Sequence, residues 1–163
     1  MIKTAVRMAL LSKIVYCDYD RINRILLKMG LKDWYWFDSE GTQAMMVKTD
    51  KELIVCFRGT EPNQVSDLMA DVKVWRKPAR EKGLVHFGFA QALDKVYDKI
   101  IDQIDRLNTT GLKMICTGHS LGAALATIFA SRTDSKYLFT FGSPRVGNKD
   151  FVKEMNNDGI IHH

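Results

Sequence analysis

Residues 113–129 read KMICTGHSLGAALATIF and change their structural preference abruptly in the middle. Residues 113–117 form a short apolar run with a β-branched centre, which is typical of a buried strand. The last eight residues are rich in Ala and Leu, which is typical of a helix. The join between them is Gly118-His119-Ser120-Leu121-Gly122. Because the strand passes into the helix over so few residues, we expect Ser120 on a tight bend with space only for glycine two positions to either side.

This G-x-S-x-G pentapeptide predicts a nucleophile elbow. Such a bend would expose the Ser120 hydroxyl above the sheet and direct the N-terminus of the following helix toward it. It would also leave the Leu121 amide available to a developing oxyanion, so the chemistry that it indicates is acyl transfer. The alternative is a glycine-rich turn between a strand and a helix whose serine only caps the helix.

The composition is that of an ordinary soluble globular protein. The 163 residues are 46% hydrophobic and 26% charged, which suffices for one domain with its own core. The formal net charge is +5, and we interpret the basic residues as scattered and as promoting solubility. No basic block suited to nucleic acid is present, and the charge favours an anionic lipid surface only weakly.

Cysteine content and the N-terminal residues bear on the cellular location. Three cysteines, Cys17, Cys56 and Cys116, form no even set, and two of them lie in apolar strand runs, so no disulfide framework is indicated. The apolar stretch 8–11 is ended by Lys13 and is too short for the core of a signal peptide. The uncharged segment 114–131 contains the polar bend and is better explained as a buried strand and helix than as a membrane span. We therefore predict a cytoplasmic protein.

Strand and helix patterns alternate along the chain. Residues 2–16 and 22–29 are predicted helices, 43–47 and 53–57 a hairpin, 71–75 a strand, 89–107 a long helix with an apolar stripe, and 136–141 a strand. In the first helix we expect one buried face, formed by Ile2, Val6, Ala9, Leu10 and Ile14. The aromatic run 34–37 is either core or the lining of an acyl pocket, and core is favoured. The alternation predicts an α/β fold with a mostly parallel sheet covered by helices, and ligands at the carboxyl ends of the strands.

Two further segments would lie near the bend. The strand 53–57 ends in Phe57-Arg58-Gly59-Thr60, at the rim where a second oxyanion donor must be found, although a plain turn explains this tetrapeptide equally well. Residues 61–70 are predicted to form a short amphipathic helix, either a movable lid or a fixed surface helix. We expect His86 and His119 to be structural, because His86 precedes Ser120 and His119 adjoins it.

Four motifs occur in order: FRGT at 57–60, VHFGF at 85–89, GHSLG at 118–122 and FGSPRVGN at 141–148. Together they resemble the class 3, or fungal-type, lipase family of α/β-hydrolases, from about residue 16 onward. The resemblance implies that Ser120 is the nucleophile and that Thr60 and Leu121 form the oxyanion hole. It also implies a lid over residues 61–70, an acylglycerol or other carboxylic ester as substrate, and neither a cofactor nor a metal.

The chain departs from the family pattern at its end. Family members continue with a strand that carries the triad acid and a later loop that carries the histidine, whereas this chain stops at Ile160-Ile161-His162-His163. We therefore expect residues 1–163 to form a single incomplete domain that lacks the C-terminal strands, the triad acid and the triad histidine. The downstream candidates are poorly placed for a triad: Asp134, Asp150, Asp158, His162 and His163.

Two functional hypotheses follow from this ending. The first is a lipase-like serine hydrolase with little or no activity as this chain alone. The second is a non-catalytic lipid- or ester-binding remnant, or half of a split enzyme. In that case an unpaired sheet edge would bind a complementing chain or a second copy.

Overall fold

The computed structural model describes residues 2–59, 75–78, 83–107, 109–157 and 161–162. Its elements in chain order are α1 (Ile2–Ile14), α2 (Tyr19–Lys28), β1 (Asp33–Ser39), β2 (Thr42–Lys48), β3 (Glu52–Phe57), β4 (Trp75–Pro78), β5 (Leu84–His86), α3 (Phe87–Arg106), β6 (Lys113–His119), α4 (Leu121–Ser131), β7 (Tyr137–Phe141), α5 (Lys149–Asn157) and β8 (Ile161–His162). Thr60, the predicted lid 61–70, Asp158 and His163 lie outside the described residues, as do residues 71–74 of a predicted strand.

A six-stranded sheet has the order β1, β2, β3, β6, β7, β8. The short turn between β2 and β3 makes this pair an antiparallel hairpin, and β1 also pairs antiparallel with β2. The neighbours from β3 to β8 are all parallel, because helical segments return the chain between most of these strands. The predicted α/β fold with a mostly parallel sheet is therefore confirmed. Strands β4 and β5 form a separate antiparallel pair.

Helices cover both faces of the six-stranded sheet. Alternate residues of β3 point to opposite faces: Val55 and Phe57 pack with α3 and α4, whereas Ile54 and Cys56 pack with α1 and α2. Burial on both faces explains why β3 reads as a continuous apolar run. The predicted apolar stripe of α3 is confirmed, with its members buried or partly buried in the first of these clusters.

Helix α1 buries a face that differs in part from the one predicted, because Ile14 is buried as expected but two other members of the predicted face are exposed. Val6 is 63% exposed and Leu10 43% exposed, whereas Met8, Leu11 and Val15 are fully buried. The prediction was wrong for Val6 and Leu10 because α1 has apolar side chains around most of its circumference, so periodicity alone does not select a face.

Buried polar contacts tie α1 to the sheet in its observed orientation. The hydroxyls of Ser12 and Thr117 lie 2.9 Å apart, and that of Thr117 donates to the Phe139 carbonyl at 3.0 Å. Arg7 forms an ion pair with Glu52. Since buried polar groups need partners, these contacts fix which side of α1 faces β6.

The aromatic run of β1 is part of the core, as predicted. Trp34 and Trp36 pack against the α1 and α2 side, whereas Tyr35 and Phe37 pack against the α3 side. The Trp34 indole donates to the Asn23 amide oxygen at 3.1 Å.

Candidate active site

Ser120 occupies a strained backbone conformation between β6 and α4. Its φ of 56° and ψ of −125° are unfavourable for a residue with a side chain and typically cost about 1–3 kcal/mol. The surroundings hold this conformation in place. The Ser120 amide donates to the Phe141 carbonyl at 2.9 Å, and the Ser120 carbonyl accepts from Ala123 at 3.0 Å. The end of β7 and the first turn of α4 thus fix the bend from both sides.

Two glycines permit the close approach that the bend requires. A Cβ on Gly118 would lie 2.3 Å from the backbone carbonyl of Gly122. A Cβ on Gly122 would lie 2.2 Å from the carbonyl oxygen of Phe57 at the end of β3. A side chain on Gly118 would therefore push the start of α4 away from β6, and a side chain on Gly122 would push it away from β3.

The Ser120 hydroxyl does not cap α4. Ser120 stands at the N-cap position, yet its side chain makes no capping hydrogen bond, and an ordinary N-cap has extended rather than positive-φ backbone. The helix-capping alternative considered from the sequence is thus not the arrangement observed.

Ser120 is half-buried and lines a cavity of about 1030 Å³. The cavity lies between α1, the start of α2 and the carboxyl ends of β6 and β7. Its lining comprises Ala9, Ser12, Lys13, Tyr16, Cys17, Asp18, Arg21, His119, Ser120, Phe141 and Gly142. A volume of this size accommodates a ligand as large as a lipid ester.

A hydrogen-bonded pair stands beside the serine in this cavity. The Tyr16 hydroxyl lies 3.2 Å from Nδ1 of His119 and 3.3 Å from the His119 carbonyl oxygen. The guanidinium of Arg58 lies 5.7 Å from the centre of the Tyr16 ring. Sequence reasoning missed Tyr16, because it lies 103 residues away from His119 and no motif marks it.

The two histidines expected to be structural have different environments. His86 is 5% exposed and its ring packs on that of Phe89, with the centroids 4.3 Å apart. His119 is exposed and lines the same cavity as Ser120, so it is not the packed side chain that its place in the motif suggested.

The predicted oxyanion-hole residues are only partly described. Leu121 is the first residue of α4 and is 7% exposed, so its amide belongs to the first turn, where helical N–H groups have no partner within the helix. Gly59 adjoins the elbow, since a Cβ there would lie 2.2 Å from the Tyr16 hydroxyl and 2.6 Å from the His119 carbonyl. Thr60 itself is outside the described residues.

The four motifs meet in two pairs. FRGT approaches GHSLG through Phe57 and Gly122. VHFGF approaches FGSPRVGN through a bridge between Val85 and Gly147 and through the His86 amide, which donates to the Val146 carbonyl at 2.9 Å. These contacts give a structural reason for each motif.

The described triad candidates after Ser120 lie away from the elbow. Asp134 precedes β7 and so lies at the amino ends of the parallel strands, whereas Ser120 lies at their carboxyl ends. Asp150 is in the first turn of α5. His162 pairs in register with Leu138, three residues before Phe141, which places its backbone about 10 Å below the rim.

The three cysteines are free thiols. Burial raises the pKa of Cys56 and that of Cys116 to about 12, although a hydrogen bond to Ser12 or to Ser135 offsets part of each shift. Cys17 is half-buried and lines the Ser120 cavity. Within the described ranges, no group of His, Cys, Asp and Glu side chains has an arrangement that could hold a metal ion.

Comparison with known proteins agrees with this geometry. The family model for class 3 lipases matches residues 54–162. A secreted mono- and diacylglycerol lipase of Fusarium solani is 42% identical over 74 residues, which are 42% of this chain and 22% of that protein. Secreted mono- and diacylglycerol lipase A of Penicillium cyclopium is 31% identical over 120 residues, which are 68% of this chain and 39% of that protein. The matches thus span less than half of each relative.

The fold resembles that of solved fungal lipases. Lipase II from Rhizopus niveus superposes with a TM-score of 0.78 over 99% of this chain and 69% of that one, at 23% identity. This similarity shows that the fold is that of the α/β-hydrolases.

The predicted cytoplasmic location is wrong, because both curated relatives above are named as secreted lipases. The prediction relied on the missing signal-peptide core at residues 1–16. Most of that stretch is α1, a helix packed on the sheet, so its sequence reflects the fold rather than the location. None of the described helices combines the length and the apolar character needed to cross a bilayer.

The four motifs, the strained serine between β6 and α4, and the matched family model over residues 54–162 agree on one assignment: the chain belongs to the class 3 lipase family.

Proposed function

We propose that this protein hydrolyses carboxylic esters of lipids, with Ser120 as the nucleophile. The observation that carries the proposal is the positive-φ backbone of Ser120, which lines a large cavity and whose hydroxyl is not used as a helix cap. A strained residue is kept only where the surroundings over-determine it, and such residues cluster at active sites. The names of the relatives, which are mono- and diacylglycerol lipases, support an acylglycerol or a similar ester as substrate.

The proposed reaction is acyl transfer in two steps. The Ser120 oxygen attacks the ester carbonyl carbon, and the C–O bond to the alcohol breaks after the tetrahedral intermediate has formed. The amide of Leu121, at the positive end of α4, stabilises the oxyanion, and the amide of Thr60 is the proposed second donor. Water then attacks the acyl-enzyme and releases the fatty acid.

Proton transfer needs a histidine and an acid. We assign neither role to a described residue, because Asp134, Asp150 and His162 lie away from the elbow and Nδ1 of His119 faces the Tyr16 hydroxyl. We propose that these groups come from a strand beside β8 and the loop after it. Whether that strand belongs to the same chain, to a complementing chain or to a second copy, it would add to the β8 edge.

Hydrolysis of a short-chain ester and of an emulsified triacylglycerol tests the nucleophile. Ser120→Ala is expected to lower both rates by at least about 100-fold, because no step of the acyl transfer survives without the nucleophile. Ser143→Ala is the matched control, since Ser143 is exposed on the loop after β7, and it should leave both rates unchanged. Because the histidine and the acid are proposed to come from a strand beside β8 and the loop after it, the rates are compared in protein that includes that strand and loop. Equal rates for Ser120→Ala and the wild type there would refute the proposed role.

A further inference from the structure

The basic residues are concentrated in the N-terminal helices rather than scattered. Residues 1–32 contain seven of the 24 Lys and Arg residues but only two of the 19 Asp and Glu residues. The remainder of the chain is balanced in charge, so this segment accounts for the whole net charge of +5. The interpretation of the charge as scattered is thereby corrected.

Six of these seven cations are exposed to solvent, in or next to the two N-terminal helices. Arg7 pairs with Glu52, but the other six are exposed and form no ion pair with a described carboxylate: Lys3, Lys13, Arg21, Arg24, Lys28 and Lys32. Buried side chains of α1 and α2 belong to the same core cluster, so both helices cover the same face of the sheet and their exposed side chains lie on the outer side of that layer. We call this surface, formed by the exposed residues of α1 and α2 together with Lys32, the basic face.

Exposed aliphatic side chains lie among the cations. On α1, Lys3, Val6, Leu10 and Lys13 follow one another at helical spacing and are all exposed, so they form one stripe. On α2, Leu27 is 48% exposed and stands between Arg24 and Lys28 on the outward side. Cations alternating with aliphatic groups are typical of helices that lie in a lipid interface.

The basic face adjoins the mouth of the Ser120 cavity. Lys13, at the end of α1, and Arg21, in α2, belong both to this face and to the cavity lining. A flat surface in contact with α1 and α2 would therefore lie beside the entrance through which an ester must reach Ser120.

We propose that the basic face docks the protein on an anionic lipid surface. The significance for catalysis rests on the proposed function, since docking would bring the cavity to its substrate. Six exposed cations complement anionic head groups, and Val6, Leu10 and Leu27 can enter the boundary between head groups and acyl chains. A nucleic acid has no apolar layer that these aliphatic side chains could enter, so they would not contribute to binding it. A second copy of the chain would be repelled because its basic face carries the same charge.

Sedimentation with vesicles tests the proposal on the full chain. Binding is expected to vesicles of phosphatidylcholine mixed with phosphatidylserine, to be absent with phosphatidylcholine alone, and to be lost at about 1 M NaCl, where the screening length is ~3 Å. The double variant Lys3→Glu, Arg24→Glu should bind at least about 20-fold more weakly, because each cation near such a surface contributes roughly a fivefold factor. Lys113→Glu, Lys153→Glu is the matched control, with the same charge change at exposed sites outside the basic face.

A second pair of variants separates lipid from other polyanions. Val6→Ser, Leu10→Ser should weaken vesicle binding at constant charge, whereas Leu84→Ser, Val152→Ser, at exposed sites elsewhere, should not. Circular dichroism checks the fold of each variant. Failure of the wild type to bind, equal loss in both charge variants, or no effect of Val6→Ser, Leu10→Ser would each overturn the proposal.

The result is independent of the chemistry at Ser120. Ser120→Ala should bind vesicles as the wild type does. Intact binding without ester hydrolysis would refute the proposed function alone, and hydrolysis of a dispersed ester without vesicle binding would refute the docking alone.

Discussion

The hydroxyl of Tyr16 lies 3.2 Å from Nδ1 of His119 and 3.3 Å from the carbonyl oxygen of the same residue, immediately before the strained Ser120. The same hydroxyl occupies the space that a side chain on Gly59 would need. One phenol thus contacts the elbow after β6 and the chain after β3, the two segments that would supply the oxyanion donors. Tyr16 is therefore well placed as a positioning residue.

Replacing Tyr16 by Phe removes this link while keeping the aromatic ring near Arg58. We expect Tyr16→Phe to slow the reaction of Ser120 with a fluorophosphonate by about tenfold, since a small displacement of oxyanion donors is costly. The free energy of unfolding should fall by only about 1 kcal/mol, the usual value of one hydrogen bond. Tyr19→Phe is the control, because Tyr19 is exposed and stacks on Trp34 away from the elbow. A labelling rate equal to that of the wild type would show that the link has no positioning role.

Gly122→Ala should separate α4 from β3. The new Cβ would lie 2.2 Å from the carbonyl oxygen of Phe57, a backbone atom that cannot turn aside. We expect the free energy of unfolding to fall by about 3 kcal/mol or more, together with loss of labelling at Ser120. Gly41→Asn tests a glycine with φ of 79° and open space around it, where asparagine is tolerated, and should change stability by less than about 1 kcal/mol. Urea denaturation measures both values, and similar stabilities for the two variants would contradict the tight elbow.

The strain at Ser120 predicts that its replacement by glycine stabilises the fold. Glycine adopts positive φ without penalty, whereas alanine keeps the strain and loses only the hydroxyl. Ser120→Gly should therefore be more stable than Ser120→Ala by about 1 kcal/mol, after allowing for the greater freedom of glycine in the unfolded chain. If thermal or urea unfolding shows Ser120→Gly to be the less stable variant, the strained backbone is not present in solution.

The buried thiols of Cys56 and Cys116 predict a loss of stability in alkali. Their pKa values are raised by burial to about 12 in the folded protein, whereas unfolded thiols titrate near 9. The unfolded state therefore loses these protons first as the pH rises, and the thiols contribute fully to stability only below about pH 9. Between about pH 9 and 12 each thiol should lower the free energy of unfolding by about 1.4 kcal/mol per pH unit.

A double variant isolates this effect from the titration of lysines and tyrosines. Cys56→Ala, Cys116→Ala should be less stable than the wild type near neutral pH, because two buried side chains are shortened. Its stability should decline less steeply above about pH 9. Parallel pH profiles for the two proteins would show that the thiols are not buried as described.

Local patterns were sufficient to predict the elements that form the site. The apolar run before Gly118 and the Ala-rich run after it gave β6 and α4, and the hairpin of β2 and β3 followed from two short apolar runs with a charged turn between them. These predictions succeeded because each element is specified by its own residues and buried on both faces or along one stripe.

The rest depended on contacts between distant parts of the chain. Val6 and Leu10 were wrongly predicted to be buried because Met8 and Leu11 compete with them at similar spacing, and packing on β6 decides between them. The role of Tyr16 depends on a contact with His119 that no local pattern encodes. The basic face could have been found by counting charges in residues 1–32, but its position beside the cavity required the fold.

The central claim, that Ser120 is an activated nucleophile, is tested most directly by reaction with a fluorophosphonate followed by mass spectrometry of the labelled peptide. We predict a single adduct on Ser120, absent from Ser120→Ala and retained in Ser143→Ala. An adduct on another serine, or no adduct on folded wild-type protein that includes the strand beside β8 and the loop after it, would contradict it.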